Sequence, residues 1–122
     1  MTQAAAICKA LLDGRTLSIM DGFKLFGCTN IPREISRSVE KKFGVEVSKE
    51  SVDFTSRYGQ SGFYFRYRLN KTEYNKDGIE KMREYVALEV GTYLKDLREK
   101  GKEIPEEFKD GPAKYLQPEL FG

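Results

Sequence analysis

The 122-residue chain has no histidine and no tryptophan, two cysteines and four prolines. Without histidine, a Ser-His-Asp triad, a Cys-His dyad, a histidine acid or base and any His-containing zinc site are excluded. Cys8 and Cys28 are too few to staple a secreted domain or to close a structural zinc site. Each sits in an apolar setting, Ala-Ile-Cys-Lys and Phe-Gly-Cys-Thr, so both read as buried free thiols. No stretch approaches the roughly 18 apolar residues of a membrane span. The start, Met1-Thr2-Gln3-Ala4, lacks the charged segment and apolar run of a secretion signal. The expectation is a soluble cytoplasmic protein with no membrane contact, no metal and no cofactor.

Catalytic motifs are also missing. Gly59-Gln60-Ser61-Gly62 lacks the lysine and following helix of a phosphate-binding loop. The carboxylate pairs Asp13/Asp21 and Glu106/Glu107 fall in cap or solvated positions. Seven tyrosines invite a tyrosine nucleophile with Arg66 and Arg68 holding a phosphate, but such chemistry normally adds histidines or a larger basic set. The chain is therefore expected not to be an enzyme.

What is present is a mixed, well-charged composition: 39% hydrophobic, 33% charged and a net charge of +2. That suffices for one small core. The charge is unevenly placed. Residues 1–71 carry 12 Lys and Arg against 7 Asp and Glu, whereas residues 72–122 carry 9 against 12. The basic half is the place to look for a polyanionic partner.

Local signals divide the chain at the same point. Thr2 caps a first helix with Ala4, Ile7, Cys8, Leu11 and Leu12 on one face, ending at Gly14. Ser18-Ile19-Met20-Asp21 is a capping box for a short second helix, expected to turn Met20, Phe23 and Phe26 inward and to stop at Gly27. Thr29 or Asn30 caps a third helix, whose Ile31, Ile35, Val39 and Phe43 repeat every four residues up to Gly44. The period then changes to two. Val45-Glu46-Val47 and Val52-Asp53-Phe54 lead to a turn at Gly59–Gly62. The strand after it has Phe63, Phe65, Tyr67 and Leu69 on one face and Tyr64, Arg66 and Arg68 on the other. Phe63, Phe65 and Leu69 are expected in the core. A long amphipathic helix follows at about Ile79–Lys100, and then a tail with three of the four prolines. In that tail Phe108, Tyr115, Leu116, Leu120 and Phe121 offer docking side chains.

Three helices followed by a hairpin resembles the winged helix-turn-helix fold over about residues 2–70. The segments Thr16–Cys28 and Ile31–Arg37 are similar to those of small winged-helix proteins of bacteriophages and mobile elements. There a Phe-Gly ends the second helix and an Arg-bearing third helix follows. The resemblance implies an α+β, mainly α fold: a winged-helix domain at 1–71, then a C-terminal helix and tail at 72–122. It also implies binding of double-stranded DNA by a phage or mobile-element regulator or accessory factor.

A helix fits the major groove and a hairpin reaches neighbouring phosphates. Arg33, Arg37 and Lys41 form one stripe opposite Ile31-Ile35-Val39, with Asn30 and Ser36 beside it. Arg33 and Arg37 suit base edges, Lys41 and Lys42 phosphates, and Thr29 and Asn30 a phosphate at the helix start. In the hairpin, Arg57, Gln60, Ser61, Arg66 and Arg68 supply charge and donors, while Tyr58 and Tyr64 supply flat surface. Taken alone, a basic stripe marks a solvated helix face, and Glu34 and Glu40 interrupt this one. The competing reading is a winged module that binds protein, such as an inhibitor of a host defence or replication protein. The long helix either covers its own domain or pairs with a second chain. Met82, Tyr85, Val86, Val90, Tyr93 and Leu97 are the residues expected to form that homodimer.

Overall fold

The computed structural model describes residues 1–28, 30–109 and 111–116. Helix α1 (Gln3–Leu12) starts where Thr2 Oγ1 accepts the Ala5 N–H at 3.1 Å. A two-residue strand β1 (Leu17–Ser18) leads directly into α2 (Ile19–Phe26). The expected capping box is present: Asp21 N–H donates to Ser18 Oγ at 3.3 Å and Ser18 N–H to Asp21 Oδ2 at 3.0 Å. The third helix, α3, covers residues 31–43 in three parts: an α-turn Ile31–Glu34, a π segment Ile35–Glu40 and a closing α-turn Lys41–Phe43. Strands β2 (Val47–Thr55) and β3 (Ser61–Leu69) form a hairpin. The long helix α4 (Lys76–Glu99), a 3-10 turn Glu106–Phe108 and a short α5 (Ala113–Leu116) complete the described chain. The fold is α+β, with a three-stranded antiparallel sheet in the order β1-β3-β2.

The hairpin pairs from Val47↔Leu69 to Thr55↔Ser61, but β1 meets β3 only at Leu17↔Tyr67 and Ser18↔Arg66. Among the described residues its outer half is therefore a two-stranded ribbon. This corrects the expectation for Phe63, which is 62% exposed and rests against Phe65, 5.6 Å between ring centres. Phe65 is half-buried, while Tyr67 and Leu69 reach the core. The turn also lies earlier than expected. Ser56 N–H donates to Gln60 O and Gly59 N–H to Ser56 O, with Gly59 at φ +80°, so Arg57-Tyr58-Gly59 is the loop. Ser61 and Gly62 already belong to β3, and the Phe54 ring covers Gly62 from the facing strand.

Helix α2 is turned differently from expectation. Met20 and Phe23 are each 60% exposed, and only Phe26 of the three packs against the core. The cause is Gly22, over which Ile31 lies so closely that a Cβ would fall 1.9 Å from Ile31 Cγ1. The helix docks on its glycine, and Met20 sits about 160° round the helix from that contact.

The core runs without a break across the 71/72 boundary. From α4, Ile79, Met82, Val86, Val90, Leu94 and Leu97 are buried together with Ile7, Leu11 and Leu17 and with Ile31, Ile35 and Val39 of α3. Tyr85 packs on Phe43 with ring centres 5.5 Å apart, and Tyr93 on Phe108 at 5.2 Å. All six side chains expected to pair two chains, Met82, Tyr85, Val86, Val90, Tyr93 and Leu97, are thus engaged within this one. The tail docks too. Phe108 and Tyr115 are buried, and the Tyr115 hydroxyl donates to Asp13 Oδ1 at 3.3 Å. Leu120, Phe121 and the Leu116 side chain lie outside the described residues. Among the described residues no helix is long and apolar enough to cross a membrane.

Two residues fix how α4 is seated. Asn75 is 1% exposed, and its side-chain amide brackets one residue of β2's lead-in. Oδ1 accepts the Glu46 N–H at 2.8 Å, while Nδ2 donates to Glu46 O at 2.9 Å and to Asn70 O at 2.8 Å. One turn on, a Cβ at Gly78 would fall 2.5 Å from Phe43 O and 2.3 Å from Val45 Cγ1, so the helix backbone abuts the end of α3. Removing the amide takes the side-chain partner from three backbone groups, Glu46 N–H, Glu46 O and Asn70 O, in partly buried bonds. Asn75→Ala should therefore lower unfolding free energy by about 2–3 kcal/mol. Urea denaturation checks this, and a loss below about 0.5 kcal/mol would contradict the bracket's role.

Candidate nucleic-acid interface

The four-residue repeat of α3 does not suit a regular α-helix. At 3.6 residues per turn each step of four drifts by about 40°, so Ile31 and Phe43 would diverge by a third of a turn. The π segment removes that drift: its wider turns counter-rotate the chain, and Lys41 N–H bonds back five residues to Ser36 O. All four apolar side chains are consequently buried. Arg33, Arg37 and Lys41 share the same spacing, so the same correction aligns them on the opposite, exposed face. The Cys8 thiol, on α1, lies 3.9 Å from the Ser38 carbonyl of the π segment and donates to it.

The acids that interrupt the stripe are turned to internal partners. Glu34 Oε2 accepts the Ser38 hydroxyl at 3.0 Å, and Glu40 Oε2 accepts the Val47 N–H at 3.4 Å. Among the described residues, Arg33, Arg37 and Lys41 form no ion pair with any carboxylate. The result is a row of three unneutralised cations at steps of about 6 Å along a helix. At its N-terminal end, Arg33 and Arg37 border a shallow cleft of about 300 Å³ shared with Gln3, Gly27, Cys28, Asn30 and the acidic Glu34.

The remaining candidates divide into three groups. Asn30 Oδ1 caps α3 by accepting the Arg33 N–H at 3.2 Å, and Ser36 is half-buried. Thr29 lies outside the described residues. Lys42, expected at a phosphate, turns instead towards α4, where its Nζ stands 3.8 Å from the centre of the Tyr85 ring. At the hairpin end, Arg57, Tyr58, Gln60 and Ser61 are exposed, Tyr58 to 87%. Eight residue steps of about 3.4 Å carry this end some 27 Å from the hairpin's base, so it is a second contact point rather than part of the helix stripe. Along the outer face, Arg66 pairs across the strands with Glu50 at 3.4 Å and is half-buried, while Arg68 is exposed opposite Ser48. Tyr64 rests against Phe54, 6.1 Å between ring centres.

Sequence reasoning did not find the π segment, although the strict repeat of four was its signal. Gln3 was also missed; its amide donates to Phe26 O at 3.0 Å at the edge of the cleft. Among the described residues no three Cys, Asp or Glu side chains gather as a metal-binding group. The stripe offers guanidinium forks and an ammonium to an anionic partner. Compared with protein-family models, characterised proteins and solved structures, the chain has no match.

Burial pushes the Cys8 thiol up from its ordinary 9.0 to about 12, against a small opposing pull from Lys42. Burial and the nearby Glu40 carboxylate raise Tyr67 as well. A folded-state value above the unfolded one means the folded chain holds its proton longer. This stability is complete below pH 9 and is lost as pH climbs towards 12. The urea midpoint should fall across that range, and less steeply in Cys8→Ala. An identical fall in parent and variant would show that Cys8 is not its source.

Proposed function

We propose that the chain is a winged helix-turn-helix protein that binds duplex DNA and acts without catalysis as a regulator or accessory factor. The helix α3 enters the major groove, with Arg33 and Arg37 facing base edges and Lys41 a phosphate, and the hairpin end reaches the flanking backbone. The observation that carries the reading is the exposed row Arg33, Arg37 and Lys41, without an ion pair among the described residues, on a helix whose opposite face is buried. The element order and a central β3 support it, as does the free charge of Arg57 and Arg68 on the hairpin. Arg66, neutralised by Glu50, contributes least.

A second reading, a module that binds another protein, draws on one specific feature. Ile19, Met20 and Phe23 expose 47%, 60% and 60% of their surface on a single face of α2, and clustered apolar exposure is a mark of protein contact.

Fluorescence anisotropy with a generic labelled duplex separates the two. Phosphate-driven binding should weaken with salt at a log–log slope of about −0.9 per neutralised phosphate. Lys41→Ala should make that slope shallower by about one. Arg33→Ala/Arg37→Ala should weaken binding at low salt by about tenfold or more, because two cations facing the polyanion are lost. Absence of binding at low salt would overturn the DNA reading and leave the protein-binding one.

A further inference from the structure

The outward face of α4 carries a second stripe, Glu84, Leu88, Gly91 and Lys95, that the core does not use. Leu88 is 73% exposed. Beside it lies a hollow of about 450 Å³, floored by Ala87, Gly91 and Thr92 and walled by Pro112, with Glu84 and Lys95 at its ends. At Gly91, a Cβ would touch Pro112 Cγ at an ordinary contact distance of 3.9 Å, so Pro112 borders the glycine on one side and no atom overlies it more closely.

The stripe is chemically palindromic. Let a copy of α4 lie antiparallel on this face, about a two-fold axis passing between residues 89 and 90. Residue 84 then faces 95 of the copy, 87 faces 92 and 88 faces 91. Each carboxylate meets an ammonium, and each leucine lies over a glycine; Ala87, only 5% exposed, stays with the core. Every contact occurs twice, as two-fold symmetry demands. Thr92 can be covered without stranding a donor, since its hydroxyl already bonds to Leu88 O at 3.0 Å. The register also sets its own limit. About 13 Å from the axis Lys81 would face Arg98 of the copy, so the helices must cross and diverge rather than run side by side.

We propose that two copies of this chain associate through this face as a symmetric homodimer, with Leu88 of each seated at Gly91 of the other and flanked by two Glu84–Lys95 pairs. The proposal rests on α4 alone and holds whichever ligand α3 engages.

Sedimentation equilibrium of the intact chain and four variants tests it. The parent should reach about 28 kDa, twice the 14.0 kDa of one chain. Leu88→Asp should be monomeric with an unchanged circular dichroism spectrum, because the side chain is mostly in solvent. Glu84→Lys and Lys95→Glu should each raise the dissociation constant by about tenfold or more, since both symmetric pairs become repulsive. The double variant Glu84→Lys/Lys95→Glu should recover to within about threefold of the parent. Positions 84 and 95 stand about 16 Å apart along one helix, so recovery reports contact between chains. A parent mass of one chain at every concentration overturns the proposal. So does a Leu88→Asp mass equal to the parent's, or a double variant as weak as the singles.

Discussion

The contact between the long helix α4 and the first 70 residues governs the molecule. Seventy residues alone would bury only about 60% of the surface they expose when unfolded, which leaves a small domain marginal. The stripe Ile79, Met82, Val86, Val90, Leu94 and Leu97 completes the core that the first 70 residues leave open. Its placement is set at one end, where Asn75 brackets Glu46 and the Gly78 backbone abuts Phe43. That end touches the close of α3 and the approach to β2 together. The helix carrying the cationic row and the hairpin beside it are therefore positioned by the same joint.

The buried side of α3 explains its exposed side. Four apolar residues at a strict interval of four demand a helix wound more loosely than α, and the π segment provides it. The cations at the same interval are aligned by that winding and not by any attraction among themselves. Mutual repulsion in the row is tolerated because the row faces solvent and because the burial beneath it is complete. Glu34 and Glu40 lie to the sides, bonded to Ser38 and Val47, and Glu34 also borders the cleft beside Arg33 and Arg37. The charge imbalance between the chain's halves thus has a local form. The basic half concentrates its free cations on α3 and the hairpin, while the more acidic half supplies the helix that supports them.

Much of this was legible in the residues. Caps at Thr2, Ser18 and Asn30, the switch from period four to period two, and the amphipathic stripe of the long helix all appear where local chemistry puts them. What was not legible depended on close approach between distant segments. Met20 and Phe23 look like core residues until Gly22 is seen beneath Ile31. Phe63 alternates with Phe65 as a buried strand residue should, yet a two-residue β1 cannot reach it. Asn75 reads as a loop residue, because its three partners at Glu46 and Asn70 exist only after the chain has folded back. In the site, the identities of Arg33, Arg37 and Lys41 were plain. The diversion of Lys42 to Tyr85 and of Arg66 to Glu50 required the tertiary contacts.

The central claim is that α3 and the hairpin end are the surfaces that meet a polyanion. Amide chemical-shift mapping of the folded chain against a short DNA duplex addresses it residue by residue. Salt-sensitive shifts should be confined to residues 30–42 and 57–68, with α2 silent. Shifts centred on Ile19, Met20 and Phe23, or none at low salt, would contradict it.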